Sequence, residues 1–238
     1  MLAIGGFIRV VIGWCKKMHK GNRWLFYLRD RWPFRLAILV VYLPVIGRYL
    51  FMEDPQTRFL GMMPTPMERS VSPVPFDMVS FTFLTVGLLA ALGQPTAYLL
   101  EDDWMAYIRK PRGWNRYLRY LGFTVGYCLL FSLPQLILQL LVKGNGHLRV
   151  VIEGFACATW TVFLLMLVVC MAALAGNAVV GYMVCLIFAF LYSSLAPVQS
   201  LLMSRAPLSL PVWAILYAIV TVGLFFVDYR MFKRCEIL

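Results

Sequence analysis

The sequence predicts an all-α polytopic membrane protein of six transmembrane helices, with both termini on the cytosolic side. Three observations predict it. First, 61% of the 238 residues are hydrophobic and only 14% are charged, against about 45–50% and about 25% in a soluble domain. With a mean hydropathy of +0.77, the apolar excess has no core large enough to hold it, so lipid must solvate it. Second, six apolar runs approach the roughly 20 residues that a helix needs to cross the hydrocarbon. Third, when these runs are threaded with the N-terminus inside, 16 of the 22 Lys and Arg residues fall on the cytosolic side. That bias sets orientation, and N-in with C-in requires an even number of spans.

Residues 1–33 come first. Ile4, Phe7, Ile8, Val11 and Trp14 recur at helical spacing around Arg9, and Lys16, Lys17 and Lys20 follow. This pattern predicts an interfacial amphipathic helix lying on the cytosolic surface with its apolar side down. A signal peptide places its charge first and a small-residue cleavage site last. The opposite order here predicts a retained segment.

The six-helix domain is expected over 34–238. Its first span is expected at 34–52, with Pro44 inside and Arg48 close enough to the outer end to snorkel to the headgroups. The second falls at 77–100, the third at 118–142, the fourth at 150–175, the fifth at 178–198 and the sixth at 208–228. Backbone groups in lipid must be satisfied within the segment, so each span is a helix. A barrel would need alternating segments of about ten residues instead of these continuous runs. Five prolines between residues 53 and 76 predict an irregular outer loop. Only Gly176 and Asn177 separate the fourth and fifth spans, so these should pack as an antiparallel hairpin. Pro44, Pro95 and Pro134 should kink their helices.

The net charge of +11 would suggest nucleic acid in a soluble protein. Here the basic residues flank apolar runs, where they meet anionic headgroups of the membrane lipid, and no nucleic-acid module accompanies them. The six cysteines show no CxxC spacing and fall outside the predicted outer loops, which argues against a disulfide framework or a metal site. No Lys follows a Gly, so the chain lacks the phosphate cradle of a P-loop ATPase. It also lacks HExxH and G-x-S-x-G motifs, and its two histidines, His19 and His147, fall on opposite predicted sides. No catalytic residue is predicted, and no cofactor is expected on this chain.

Polar residues within the spans are Gln94, Gln135, Gln139 and Asn177, with Glu153 and Gln199 beside them. Such groups either bond a neighbouring helix or line a cargo path. Gln135 and Gln139 share one face of the third span, just after Pro134, and helix-to-helix bonding is the favoured role. Glu153 should lie near the outer surface.

The most informative stretch is the largest inner loop, residues 101–119. Glu101, Asp102 and Asp103 follow the second span. A short helical piece follows, broken at Arg109-Lys110-Pro111-Arg112-Gly113, and Trp114 restarts a helix that leads into the third span. Trp114 and Tyr117 suit the headgroup boundary, while Arg112, Arg116 and Arg119 lie near one face. A solvated positive-inside loop accounts for the arginines but less well for acids preceding a helix-break-helix.

This pattern resembles the ATP-binding-cassette (ABC) type-2 permease family. There, an acidic run closes the second span and a cytosolic coupling helix with a basic residue after a break leads into the third. The C-terminal run Asp228-Tyr229-Arg230-Met231-Phe232-Lys233-Arg234-Cys235-Glu236-Ile237-Leu238 is similar to the family's ending, and residues 197–211 resemble its short outer re-entrant elements. Cys235 and the two acids beside Glu101 depart from the pattern. The resemblance implies the permease subunit of an ABC exporter in the plasma membrane. That subunit is not itself an enzyme. It pairs with a second permease copy and docks a separate ABC ATPase subunit that binds the ATP and magnesium. Glu101, Asp102, Asp103, Arg109, Lys110, Arg112, Trp114, Arg116 and Arg119 would carry the ATPase coupling, together with the interfacial helix. An apolar or amphipathic cargo (peptide, lipid or drug) would suit such spans. The alternatives are a stand-alone polytopic membrane enzyme or transporter, and a membrane-anchored immunity or interaction protein.

Overall fold

A computed structural model describes residues 32–52, 78–91, 96, 99, 113–143, 148–194 and 210–234. Among them are six helices: α1 (Trp32–Met52), α2 (Met78–Leu89), α3 (Trp114–Lys143), α4 (Leu148–Leu174), α5 (Ala178–Ser194) and α6 (Leu210–Arg234). The chain divides into two compact units, 1–40 and 41–238. Of the first, the opening half of α1 is described; the packing below concerns the second.

The protein is a multi-pass, all-helical membrane protein. Among the described residues α3, α4 and α6 are each long and apolar enough to cross a bilayer, and α2 and α5 are shorter apolar helices. The 17 residues of α5 rise about 26 Å, close to the roughly 30 Å of hydrocarbon. The 12 residues of α2 rise only about 18 Å. The second span was expected at 77–100; α2 ends at Leu89 with a turn at Ala90 and Ala91, and Thr96 and Leu99 are again helical.

Helix α4 is the core. Of its apolar window 67% is buried, against 22% for α3 and 17% for α6, and it packs against α2, α3, α5 and α6. The outer helices turn large apolar side chains outward, among them Leu130, Leu141, Val179 and Ile219. In water that surface would drive aggregation; in lipid it is solvated. Several hydroxyls donate to carbonyls of their own helix. Thr82 donates to Met78 O, Thr124 to Tyr120 O and Ser193 to Ala189 O.

The α4–α5 connection shows how little chain a helical hairpin needs. Gly176 adopts φ 95°, a left-handed conformation that suits glycine. Its N–H donates to Ala173 O and the Asn177 N–H donates to Ala172 O, both at 3.0 Å, the paired bonds of a Schellman stop. Asn177 then starts the next helix: its Oδ1 accepts the Val180 N–H at 3.2 Å. Beyond the turn the two helices touch backbone to backbone. A Cβ placed on Gly181 would lie 2.7 Å from Ala172 Cβ and 3.0 Å from Val169 Cα, so only glycine permits this approach.

Polar side chains bridge other helix pairs. Tyr42 of α1 donates to Gln135 Oε1 of α3 at 3.1 Å. Tyr127 of α3 donates to Gly87 O of α2 at 2.6 Å. Trp160 Nε1 of α4 donates to Thr221 Oγ1 of α6 at 2.8 Å. Two helices run past their apolar spans. Helix α3 starts at Trp114, where a helix leading into the third span was expected, and α6 continues to Arg234, past the span end expected at Asp228. Both extensions are amphipathic and lie at the same end of the bundle.

Candidate functional site

The start of α3, the end of α4 and the end of α6 converge at the end of the bundle that carries Arg116, Arg119, Arg230, Lys233 and Arg234. The inward face of α6 runs Tyr217, Thr221, Phe225, Asp228, Phe232, spaced three or four residues apart along one stripe. Tyr217, Asp228 and Phe232 are buried. Helix α3 contributes Trp114, Tyr117 and Tyr120, one turn apart. Helix α4 contributes Leu167, Cys170 and Leu174, and Leu99 joins from the segment after α2.

The rings form a continuous clasp. Trp114 stands edge-on to Tyr229 at 4.8 Å and to Phe225 at 5.2 Å. Tyr117, fully buried, lies 5.2 Å from Phe225, 5.5 Å from Tyr229, 6.0 Å from Phe232 and 5.8 Å from Tyr120. Its hydroxyl donates to Phe225 O at 3.4 Å. The Gly113 carbonyl accepts the Arg116 and Tyr117 N–H groups and so opens α3, and Arg116 Nη2 donates to Leu99 O at 3.3 Å. Lys233 Nζ lies 5.7 Å from the centroid of the Tyr229 ring.

Inside this clasp sits a carboxylate. Asp228 has no exposed surface, and neither of its oxygens meets a hydrogen-bond donor among the described residues. The Tyr117 and Tyr120 hydroxyls lie within electrostatic range of it, and Cys170 within range of both tyrosines. A charge enclosed without partners costs several kcal/mol, and an ionisable group within a membrane bundle marks function by default. In the sequence Asp228 reads as the last residue of the sixth span, where the C-terminal run begins. The signal that would have found it is its place on the stripe that runs from Tyr217 to Phe232.

Of the residues predicted to couple to an ATPase, Trp114, Arg116 and Arg119 lie at this end of α3. Glu101, Asp102, Asp103, Arg109, Lys110 and Arg112 lie outside the described residues, as do Arg9, Trp14, Lys16, Lys17, Lys20 and Gln94. Gln135 is occupied in helix bonding: besides accepting from Tyr42, its Nε2 donates to Phe131 O at 3.0 Å. Gln139 is buried one turn further along α3. Asn177 is exposed at the turn, where it caps α5. Glu153 is paired with Arg149 at 3.0 Å.

A second feature is an apolar groove of about 380 Å³ between α3, α4 and α6, lined by Val125, Leu129, Phe155, Trp160, Phe163 and Thr221 among others. Trp160 and Thr221 satisfy each other, which leaves the wall apolar. No group of His, Cys, Asp and Glu among the described residues is arranged to hold a metal ion. No family model, no curated protein and no solved structure matches the chain.

Proposed function

We propose that this chain is the membrane-spanning permease subunit of an ABC exporter. It would move an apolar or amphipathic cargo outward with ATP hydrolysed by a separate subunit. One observation carries the reading: the two stretches that resemble the type-2 family, about 110 residues apart in the chain, meet in the aromatic clasp. The exit of the inner loop (Trp114, Tyr117) grips the end of α6 (Phe225, Tyr229, Phe232). With this end facing the cytosol, a push on residues 101–119 reaches α6 and the end of α4 through packed rings. The apolar groove gives a cargo of the stated kind a wall to lie against, and cargo must bind one state better than the other for the push to do work. Six spans with both termini inside, a second permease copy and an ATPase docked on the basic end complete the proposal.

The test is co-purification of the chain with an ABC ATPase from its own cell, wild type against Arg112→Glu/Arg116→Glu. The expected result is loss of docking and of cargo-stimulated ATP turnover. Unchanged docking and turnover would refute the coupling role. A second reading, a stand-alone transporter, is favoured by the enclosed Asp228 carboxylate. It predicts cargo movement by the reconstituted chain alone.

A further inference from the structure

We propose that Asp228 is a proton-binding site at the joint of α3, α4 and α6, and that release of the proton drives this joint open. The inference stands under either reading of function. The carboxylate is fully enclosed, and its two oxygens have no donor among the described residues. The titratable groups within electrostatic range of it are Tyr117 and Tyr120 from α3, and Cys170 from α4 is within range of both tyrosines. On its own helix the nearby titratable or charged residues are Tyr229, Arg230 and Lys233, and none of them bonds to it. Arg116, the nearest cation along α3 to Tyr117, is directed to Leu99 O.

These walls decide the ligand. A hard metal cation needs about six oxygen ligands. Here there are two phenol hydroxyls, one already donated to Phe225 O, and a thiol. A proton needs one oxygen. When it leaves, a full negative charge remains in a fully enclosed place with no hydrogen-bond donor among the described residues. Such a charge favours any state in which water or an arginine reaches it. The helices that must part to admit them are the three that meet in the clasp, so proton loss and opening are one equilibrium.

The experiment uses the full chain in lipid nanodiscs. Dicyclohexylcarbodiimide adds to protonated carboxyls in apolar surroundings, and the adduct is located by peptide mass spectrometry. The expected result is labelling at Asp228 that falls as pH rises, with Glu153 unlabelled. In parallel, N-ethylmaleimide modification of Cys170 should rise severalfold more steeply with pH in wild type than in Asp228→Asn. No adduct at Asp228 together with no carboxyl infrared band assignable to it overturns the proton site. Identical Cys170 profiles in wild type and Asp228→Asn overturn the opening. If Asp228→Asn does not fold, Asp228→Glu replaces it and should shift the Cys170 profile along the pH axis; an unshifted profile counts against the opening.

Discussion

Replacing Tyr117 tests the clasp directly. Tyr117 has four ring neighbours between 5.2 and 6.0 Å. Aromatic pairs contribute about 0.5–1.5 kcal/mol each beyond area burial. The transfer part of the usual core penalty shrinks in a bilayer, because lipid is as apolar as the core. Taking the low end for each of the four pairs, Tyr117→Ala should destabilise the bundle by about 2 kcal/mol, roughly a thirtyfold shift in the folding equilibrium. Its hydroxyl bond at 3.4 Å is at the long limit of useful geometry, so Tyr117→Phe should cost no more than about 0.5 kcal/mol. The assay is thermal unfolding of the purified chain in detergent, followed by size-exclusion recovery. Comparable losses for Phe and Ala would mean that the hydroxyl, not the ring, holds the joint. Wild-type recovery for Ala would mean that the rings carry no load.

Three further outcomes are expected. Gly181→Ala forces a Cβ to within 2.7 Å of Ala172 Cβ and should cost about 1–3 kcal/mol; Ala172→Gly in the same chain should restore most of the loss in the same unfolding assay. A double-mutant cycle of Tyr42→Phe with Gln135→Leu should give a coupling of about 0.6 kcal/mol while leaving cargo movement unchanged. Gly176→Ala, placed at φ 95°, should cost about 1 kcal/mol, whereas Gly176→Asn should be milder because asparagine tolerates that conformation; circular dichroism melts separate the two.

The helices were legible in the sequence because long uncharged runs admit no other structure in lipid. The hairpin turn was legible because Gly followed by Asn is both a stop and a start. The start of α3 was legible from the break at Pro111-Arg112-Gly113, but the end of α6 was not, since it continues as a helix through charged residues that hydropathy assigns to water. Arg116 and Arg119 on α3, and Arg230, Lys233 and Arg234 on α6, sit on the same turns as the buried Tyr117, Tyr120 and Phe232, and only packing reveals which face is buried. Asp228 was hidden for the same reason: a carboxylate after an apolar run reads as the end of the run until the stripe from Tyr217 is traced past it. The pairing of Gln135 with Tyr42 joins two residues far apart in the chain, and spacing within one helix says nothing of that.

The two-residue hinge between α4 and α5 bears on biogenesis. Carbonyls of the last turn of α4 and the leading amide of α5 are already satisfied at Gly176 and Asn177, so the bend can rest at the headgroups without a hydrated loop to anchor it. A ribosome delivering this stretch supplies α5, 17 residues long, immediately behind its partner. The two should therefore leave the insertion machinery as one pre-paired unit, with Gly181 nested on Val169 and Ala172 before α6 is synthesised. Lengthening the bend by a few polar residues would separate those entries in time and leave a short helix to integrate unaided.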